Sequence, residues 1–148
     1  MSSRAVIVMT VLAALSAVCG AKEVTVKMLT KGPNSTMLVF DPMYVKVGVG
    51  DTVKFQPTDT MGHTSISVLV PDGASTWKAS PNKEIAVKME KPGVYLVECD
   101  VHKTMGMVAV VQVGKPVNLA EAKKKAAEES SHMIQNKDRF EKLLAMVK

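Results

Sequence analysis

Three side chains with metal-binding donors lie close together in the last third of the chain. Cys99, His102 and Met107 offer a thiolate, an imidazole and a thioether within residues 99–107. A strand-like run ends at Cys99 and another begins at Met107, so the loop between them can bring its ends together as a hairpin does. His63 lies in an upstream turn between two strand-like runs. We therefore expect it to supply a second imidazole to the same point.

Two imidazoles, one thiolate and one weak thioether form a donor set with a known metal preference. A trigonal Cys and two His with a long axial Met is the arrangement that supports copper electron transfer. Zinc is the main alternative because it also binds Cys and His, but it gains little from a thioether. The donor set therefore predicts one copper ion per chain that carries an electron.

Two other functional classes fit the sequence less well. A copper enzyme needs an open coordination position or a second metal site, and the only spare histidine is His132, which we expect to be solvated in the C-terminal region. A copper carrier would use exchangeable, Met-rich ligands, whereas the 11 methionines are scattered along the chain. The sequence therefore predicts an electron carrier and not an enzyme.

The N-terminus of this 148-residue chain has the features of a secretory signal. Residues 1–21 hold Arg4, an apolar run and small residues before a cleavage site that we place after Ala21. A lipid anchor at Cys19 is the alternative, which the residues preceding it do not favour. Cleavage leaves Cys99 as the single cysteine, so the exported chain is no disulfide scaffold and its thiol needs another partner. No later segment is long enough to span a membrane.

The pattern of residues 22–114 predicts a β-sandwich. Short runs of alternating polar and apolar residues are separated by Gly, Pro and Asp turn signals, as is typical of an antiparallel sandwich. The predicted strands cover residues 23–28, 44–47, 52–55, 84–89, 94–99 and 107–113.

The pattern of residues 115–148 predicts a helical extension. Asn118 can cap the first helix, with Glu121 completing a capping box. The second helix has an amphipathic stripe, which we expect to pack on the sandwich and not on a membrane or partner. That stripe consists of Phe140, Leu143, Leu144 and Val147.

The chain resembles the cupredoxins, and among them the pseudoazurins. It carries Cys-x2-His-x4-Met with an upstream Gly-His, and residues 23–29, 40–42, 50–53 and 95–99 are similar to pseudoazurin segments. The helical tail distinguishes pseudoazurins from plastocyanins. The resemblance covers residues 22–148 and implies an all-β, Greek-key cupredoxin sandwich with two C-terminal α-helices.

The resemblance also implies the metal ligands. They are His63, Cys99, His102 and an axial Met107, which would hold one type 1 (blue) copper ion. Met105 is less favoured as the axial ligand, because it would require the shorter spacing that amicyanins use.

For function, the resemblance implies a monomeric periplasmic electron shuttle. Its partners would be a nitrite reductase, a related oxidoreductase or a cytochrome-type protein, met in transient complexes. The alternative is to accept electrons from a periplasmic dehydrogenase, as amicyanins do. His102 would be the electron exit, inside a docking patch formed by Met37, Pro42, Met105, Lys31 and Lys78.

Two departures from the family pattern bear on that function. Thr64 stands where an Asn usually joins the two ligand loops, so we expect hydrogen bonding around the thiolate, and hence the reduction potential, to be atypical. Glu98 and Asp100 flank Cys99 where lysines usually surround the copper end, so we expect a partner face that is less acidic than usual.

The excess positive charge lies mainly in the tail. Residues 22–114 hold 10 basic and 9 acidic groups, whereas residues 115–148 hold 8 and 5. The sequence pI of about 9.2 does not indicate nucleic-acid binding, since no basic stripe is interleaved with aromatic residues.

Overall fold

Eight strands and two helices make up the part of the chain, residues 20–148, that the computed structural model describes. The predicted signal segment, residues 1–21, lies almost wholly outside it. The strands are β1 (Glu23–Lys31), β2 (Met37–Asp41), β3 (Tyr44–Val47), β4 (Thr52–Pro57), β5 (Ile66–Leu69), β6 (Ile85–Lys88), β7 (Gly93–Glu98) and β8 (Val108–Val113). The helices are α1 (Leu119–Ser131) and α2 (Arg139–Leu144).

Two four-stranded sheets face each other, ordered β2-β1-β4-β6 and β3-β8-β7-β5. Alternate residues of β1 and β4 turn inward, so that Val26, Met28, Val53 and Phe55 are fully buried between the sheets. This burial follows from the period of two along a strand. The Greek-key sandwich predicted from the sequence is confirmed.

Two strand pairs are parallel, so the sandwich is mostly but not wholly antiparallel, which corrects the antiparallel prediction in this detail. β1 pairs with β4, and β3 pairs with β8, in the parallel sense. The chain changes sheets between the members of each pair, so they are not joined by a tight hairpin and need not run in opposite directions. The prediction also missed β2 and β5. β2 is apolar from Met37 to Phe40, and β5 ends on two successive apolar residues, Val68 and Leu69, so alternation is broken in both.

The helical tail covers the outer face of the second sheet. β7 and β8 are buried at every residue, because one face meets the opposite sheet and the other meets α1 and α2. Phe140, Leu143 and Leu144 lie in this second core with Val94 and Val108, which confirms the packing predicted for the amphipathic stripe. Within residues 20–148 no helix has the length and apolarity needed to cross a bilayer.

Asn118 joins α1 to β7 instead of closing a capping box. It occupies the N-cap position, but its side chain makes no cap hydrogen bond. Its Oδ1 accepts from the Val94 N–H at 2.7 Å, and its Nδ2 donates to the Val94 carbonyl at 2.9 Å. The capping box predicted with Glu121 is therefore wrong, because the Asn118 amide pairs with a strand.

Candidate metal centre

Three of the predicted ligands meet at one end of the sandwich. Ligand atoms of His63, Cys99 and His102 all lie within 4.8 Å of one another, and Cys99 Sγ is 3.6 Å from His102 Nδ1. Cys99 follows the last residue of β7, and His102 precedes a 3-10 turn, Lys103–Met105. His63 comes from the loop between β4 and β5, so the fold brings together residues that are far apart in sequence.

One nitrogen of His63 is left without a partner. The ring is fully buried, and its Nε2 lies 3.1 Å from Thr30 Oγ1 and 3.2 Å from Asp59 Oδ1. With Nε2–H donating to these oxygens, the lone pair is on Nδ1, which has no hydrogen-bond partner. Buried polar atoms are rarely unpartnered, and a metal ion bound to Nδ1 would remove the deficit. The residues therefore fit the metal that the donor set predicts.

Thr30 and Asp59 were not found by sequence reasoning. A carboxylate or hydroxyl that fixes the second nitrogen of a ligating His sets its tautomer and orientation. Asp59 stands four residues before His63, and this spacing is the one signal that could have indicated it. Thr30 is 33 residues away, and nothing local points to it.

Thr64 hydrogen-bonds to the Cys99 sulfur twice. Its main-chain N–H donates to Sγ at 3.4 Å, and its hydroxyl donates to the same atom at 3.7 Å. The hydroxyl oxygen also accepts from the Asp100 N–H at 2.8 Å. Thr64 therefore links the His63 loop to the Cys99 loop, and its donors face the thiol that would ligate the metal.

Met107 is adjacent to the other donors through its backbone. Its carbonyl accepts from the Cys99 N–H at 3.0 Å, and its N–H donates to the His102 carbonyl at 3.4 Å. The side chain is fully buried. These contacts close the ligand loop as the hairpin argument predicted.

His102 is the candidate ligand nearest the surface. It is half-buried, whereas His63 and Cys99 are buried. Burial lowers the pKa of His102, and the neighbouring His63 lowers it further, which favours the neutral imidazole that a metal needs. Among the residues predicted for the docking patch, Met105 is half-buried and the others are exposed: Met37, Pro42, Lys31 and Lys78.

The two acidic residues beside Cys99 have different surroundings. Asp100 is at the surface, where its carboxylate lies 3.3 Å from Lys78 Nζ and 3.2 Å from Lys103 Nζ; hydrogen bonds from Lys103 and Lys78 lower its pKa. Glu98 is only 3% exposed, and its pKa is raised to about 7, chiefly by burial and also by the nearby Glu129 carboxylate. The expectation that Glu98 adds surface charge at the copper end is therefore wrong, because the helical tail covers it.

Two imidazoles and a thiol at the loop end of a Greek-key sandwich, with a buried methionine beside them, define the cupredoxin class of copper proteins. The profile of copper-binding proteins of the plastocyanin/azurin family matches residues 26–114. The chain is 49% identical to a pseudoazurin of Methylorubrum extorquens over 106 residues, which cover 70% of each protein. It is 40% identical to a pseudoazurin of Paracoccus pantotrophus over 114 residues, 76% of this chain and 78% of that one.

Solved structures agree with the sequence comparisons. The crystal structure of native pseudoazurin from Hyphomicrobium denitrificans superposes with a TM-score of 0.76 at 39% identity, covering 85% of this chain and 98% of that one. The chain belongs to the plastocyanin/azurin family of copper-binding proteins and, within it, to the pseudoazurins. It is an electron carrier and not an enzyme.

Proposed function

We propose that this protein is a periplasmic type 1 copper protein that carries single electrons between redox partners. Its ligands would be His63, Cys99, His102 and Met107, with Met107 axial. The observation that carries the assignment is the buried His63 Nδ1, which has no hydrogen-bond partner and belongs to the cluster formed with Cys99 and His102. No protein group among residues 20–148 satisfies this nitrogen, and a bond to a metal ion would.

The protein's own residues prepare the site for one-electron chemistry. Copper bound there would cycle between Cu(II) and Cu(I), storing one electron. Thr30 and Asp59 hold the His63 ring in one orientation, and Thr64 directs two donors at the Cys99 sulfur. Because these partners are in place before any electron arrives, little rearrangement accompanies transfer.

Electrons would enter and leave at His102, the ligand nearest the surface. Exposed apolar side chains at this end would exclude water from a transient interface, with Lys31 and Lys78 at its margin. The proposed docking patch consists of Met37, Pro42, Met105, Lys31 and Lys78. Its support is the exposure of all these residues except the half-buried Met105.

The proposed partner is a nitrite reductase or a related periplasmic oxidoreductase, and the protein would act as a monomer. The alternative is acceptance of electrons from a periplasmic dehydrogenase. Export would depend on residues 1–21 acting as a cleaved signal. The mature chain would then comprise the copper-binding sandwich, residues 22–114, and the helical extension, residues 115–148.

A spectrum and a potential test the ligand assignment. The mature protein loaded with Cu(II) is expected to show an intense blue sulfur-to-copper band and reversible one-electron voltammetry. Cys99→Ser should abolish the band, because the charge transfer originates in the thiolate.

Met107→Leu should keep the band but shift the potential, since the axial ligand tunes the potential. The matched core variant Met89→Leu should leave the band and the potential unchanged. A colourless or irreversible wild-type site would overturn the proposal.

Kinetics would identify the partner. Stopped-flow reduction and oxidation against a panel of periplasmic reductases and dehydrogenases should give the fastest oxidation with a nitrite reductase. Fast reduction by a dehydrogenase, with slow oxidation by every reductase, would instead favour the alternative role.

A further inference from the structure

A buried arginine of the tail hydrogen-bonds to the ligand loop. Arg139, the first residue of α2, is 9% exposed. One guanidinium nitrogen, Nη1, donates to two main-chain carbonyls, those of Leu38 in β2 and Gly106 in the ligand loop. The neighbouring carboxylate of Asp138 pairs with Lys142 instead.

Burying the Arg139 guanidinium costs free energy, which a purely packing role for this position would not require. Burying a charge away from water is unfavourable, and carbonyl dipoles offset the cost only partly. If the position served only to pack α2 on the sandwich, an apolar side chain such as that of the adjacent Phe140 would suffice. The guanidinium instead bridges two segments, and Gly106 directly precedes the proposed axial ligand, Met107.

The residues just before Arg139 contact the same loop. Main-chain N–H groups of Ile134 and Gln135 donate to the Thr104 carbonyl at 2.7 and 3.3 Å. The side chain of Asn136 donates through Nδ2 to the Met105 carbonyl at 2.9 Å. Three consecutive loop carbonyls, at residues 104–106, therefore all accept hydrogen bonds from the tail.

Close packing supports the hydrogen bonds. Gly106 has φ of 72°, in the left-handed region that favours glycine. A Cβ there would lie 2.8 Å from both Asn136 Cβ and the Gln135 carbonyl oxygen. The loop and the tail are thus in direct contact, with no room for a larger residue between them.

We propose that Arg139 is a positioning residue for the copper site. Together with residues 134–136 it would hold the segment that joins His102 to Met107, and so set the position of both ligands in both oxidation states. The helical tail then acts on the redox centre as well as covering the second sheet. This inference rests on the proposed function, and in particular on Met107 as the axial ligand.

The test compares two charge-removing variants of one helix. Arg139→Met removes the bridge to Gly106, whereas Lys142→Met removes an exposed charge that contacts only Asp138. Arg139→Met is expected to shift the reduction potential, change the intensity ratio of the visible charge-transfer bands and slow electron self-exchange. Lys142→Met should leave all three at wild-type values.

A second pair of variants covers the case in which Arg139→Met does not fold. Asn136 is exposed and has φ of 53°, so Asn136→Gly is compatible with the backbone. It removes the bond to Met105 together with the side-chain atoms that pack against Gly106. Asn34, exposed with φ of 54°, provides the matched control Asn34→Gly. Asn136→Gly should change the spectrum in the same sense as Arg139→Met but less, and Asn34→Gly should not change it.

Wild-type spectra and potentials in Arg139→Met and Asn136→Gly, even with lowered stability, would overturn the inference and show a purely structural tail. Failure of the wild-type protein to form a blue site is a different result, since it would contradict the proposed function itself.

Discussion

Thr64 shows how one side chain can serve both ligand loops. Its hydroxyl oxygen accepts from the Asp100 N–H while its hydroxyl hydrogen points to the Cys99 sulfur. With the main-chain N–H of Thr64, two donors then face the thiolate. Hydrogen bonds to a thiolate favour the reduced state, because Cu(I) withdraws less charge from the sulfur than Cu(II) does.

Thr64→Val should therefore lower the reduction potential. Valine keeps the branched shape and the main-chain N–H but loses the hydroxyl. A net hydrogen bond is worth about 1 kcal/mol, and the potential changes only by the difference in its strength between the two oxidation states. The shift should therefore not exceed roughly 40 mV for a one-electron couple. Protein-film voltammetry measures the shift, and Thr64→Ser, which keeps the hydroxyl, is the control.

Thr64→Asn should also change the potential, because the amide would replace the hydroxyl as the link between the loops. An unchanged potential in both Thr64→Val and Thr64→Asn would show that the hydroxyl has no influence on the metal.

At the scale of elements, the contact between α1 and β7 depends on the side-chain amide of Asn118. It makes the two hydrogen bonds to β7 that a neighbouring strand would otherwise make. β5 pairs with β7 only as far as Leu96, so the N–H and carbonyl of Val94 would lack partners on that side. The Asn118 side chain supplies both an acceptor and a donor there. The start of the tail is thereby joined to the strand that leads to Cys99.

Asn118→Ala should destabilise the protein by about 2 kcal/mol, because it leaves two main-chain groups of Val94 unpaired. Asn118→Asp keeps the acceptor but sets a second oxygen against the Val94 carbonyl, so it should destabilise the protein as well. Urea unfolding of the metal-free protein measures both. The reduction potential should not change in either variant, since Val94 is at the opposite end of β7 from Cys99; a shifted potential would contradict this account.

For the molecule as a whole, the charge that a partner meets differs from the net charge. Much of the excess positive charge is in residues 115–148, and at the copper end Asp100 pairs with Lys78 and Lys103. Electrostatic steering acts over a Debye length of ~8 Å at physiological salt, so this local pairing matters more than the total. The buried Glu98 does not contribute to the surface charge at the copper end.

Electron transfer to an acidic partner should consequently depend only weakly on salt, and Asp100→Asn should make the dependence steeper by releasing both lysines. Second-order rate constants measured over a range of ionic strengths check this. Asp72→Asn, the same charge change in the exposed turn after Pro71, is the matched control and should keep the wild-type slope. A steep wild-type slope would contradict the weak steering inferred here.

The sequence alone predicted the donor set, most strands and the helical tail. The Cys-x2-His-x4-Met spacing, the alternation along strands and the stripe on α2 are local patterns that each span a few residues. His63 was the one ligand predicted from a separate segment. Resemblance to the pseudoazurins then linked those patterns to copper and electron transfer.

Only the tertiary structure decided which His63 nitrogen is free, that Thr30 and Asp59 orient its ring, that Glu98 is buried, and that Arg139 reaches the ligand loop. It also decided the parallel pairing of β1 with β4. The physical reason is that these features depend on contacts between distant segments: Thr30 is 33 residues from His63, and Leu38 is 101 residues from Arg139. A local sequence pattern cannot predict such contacts, because they form only when the sheets and the tail pack together.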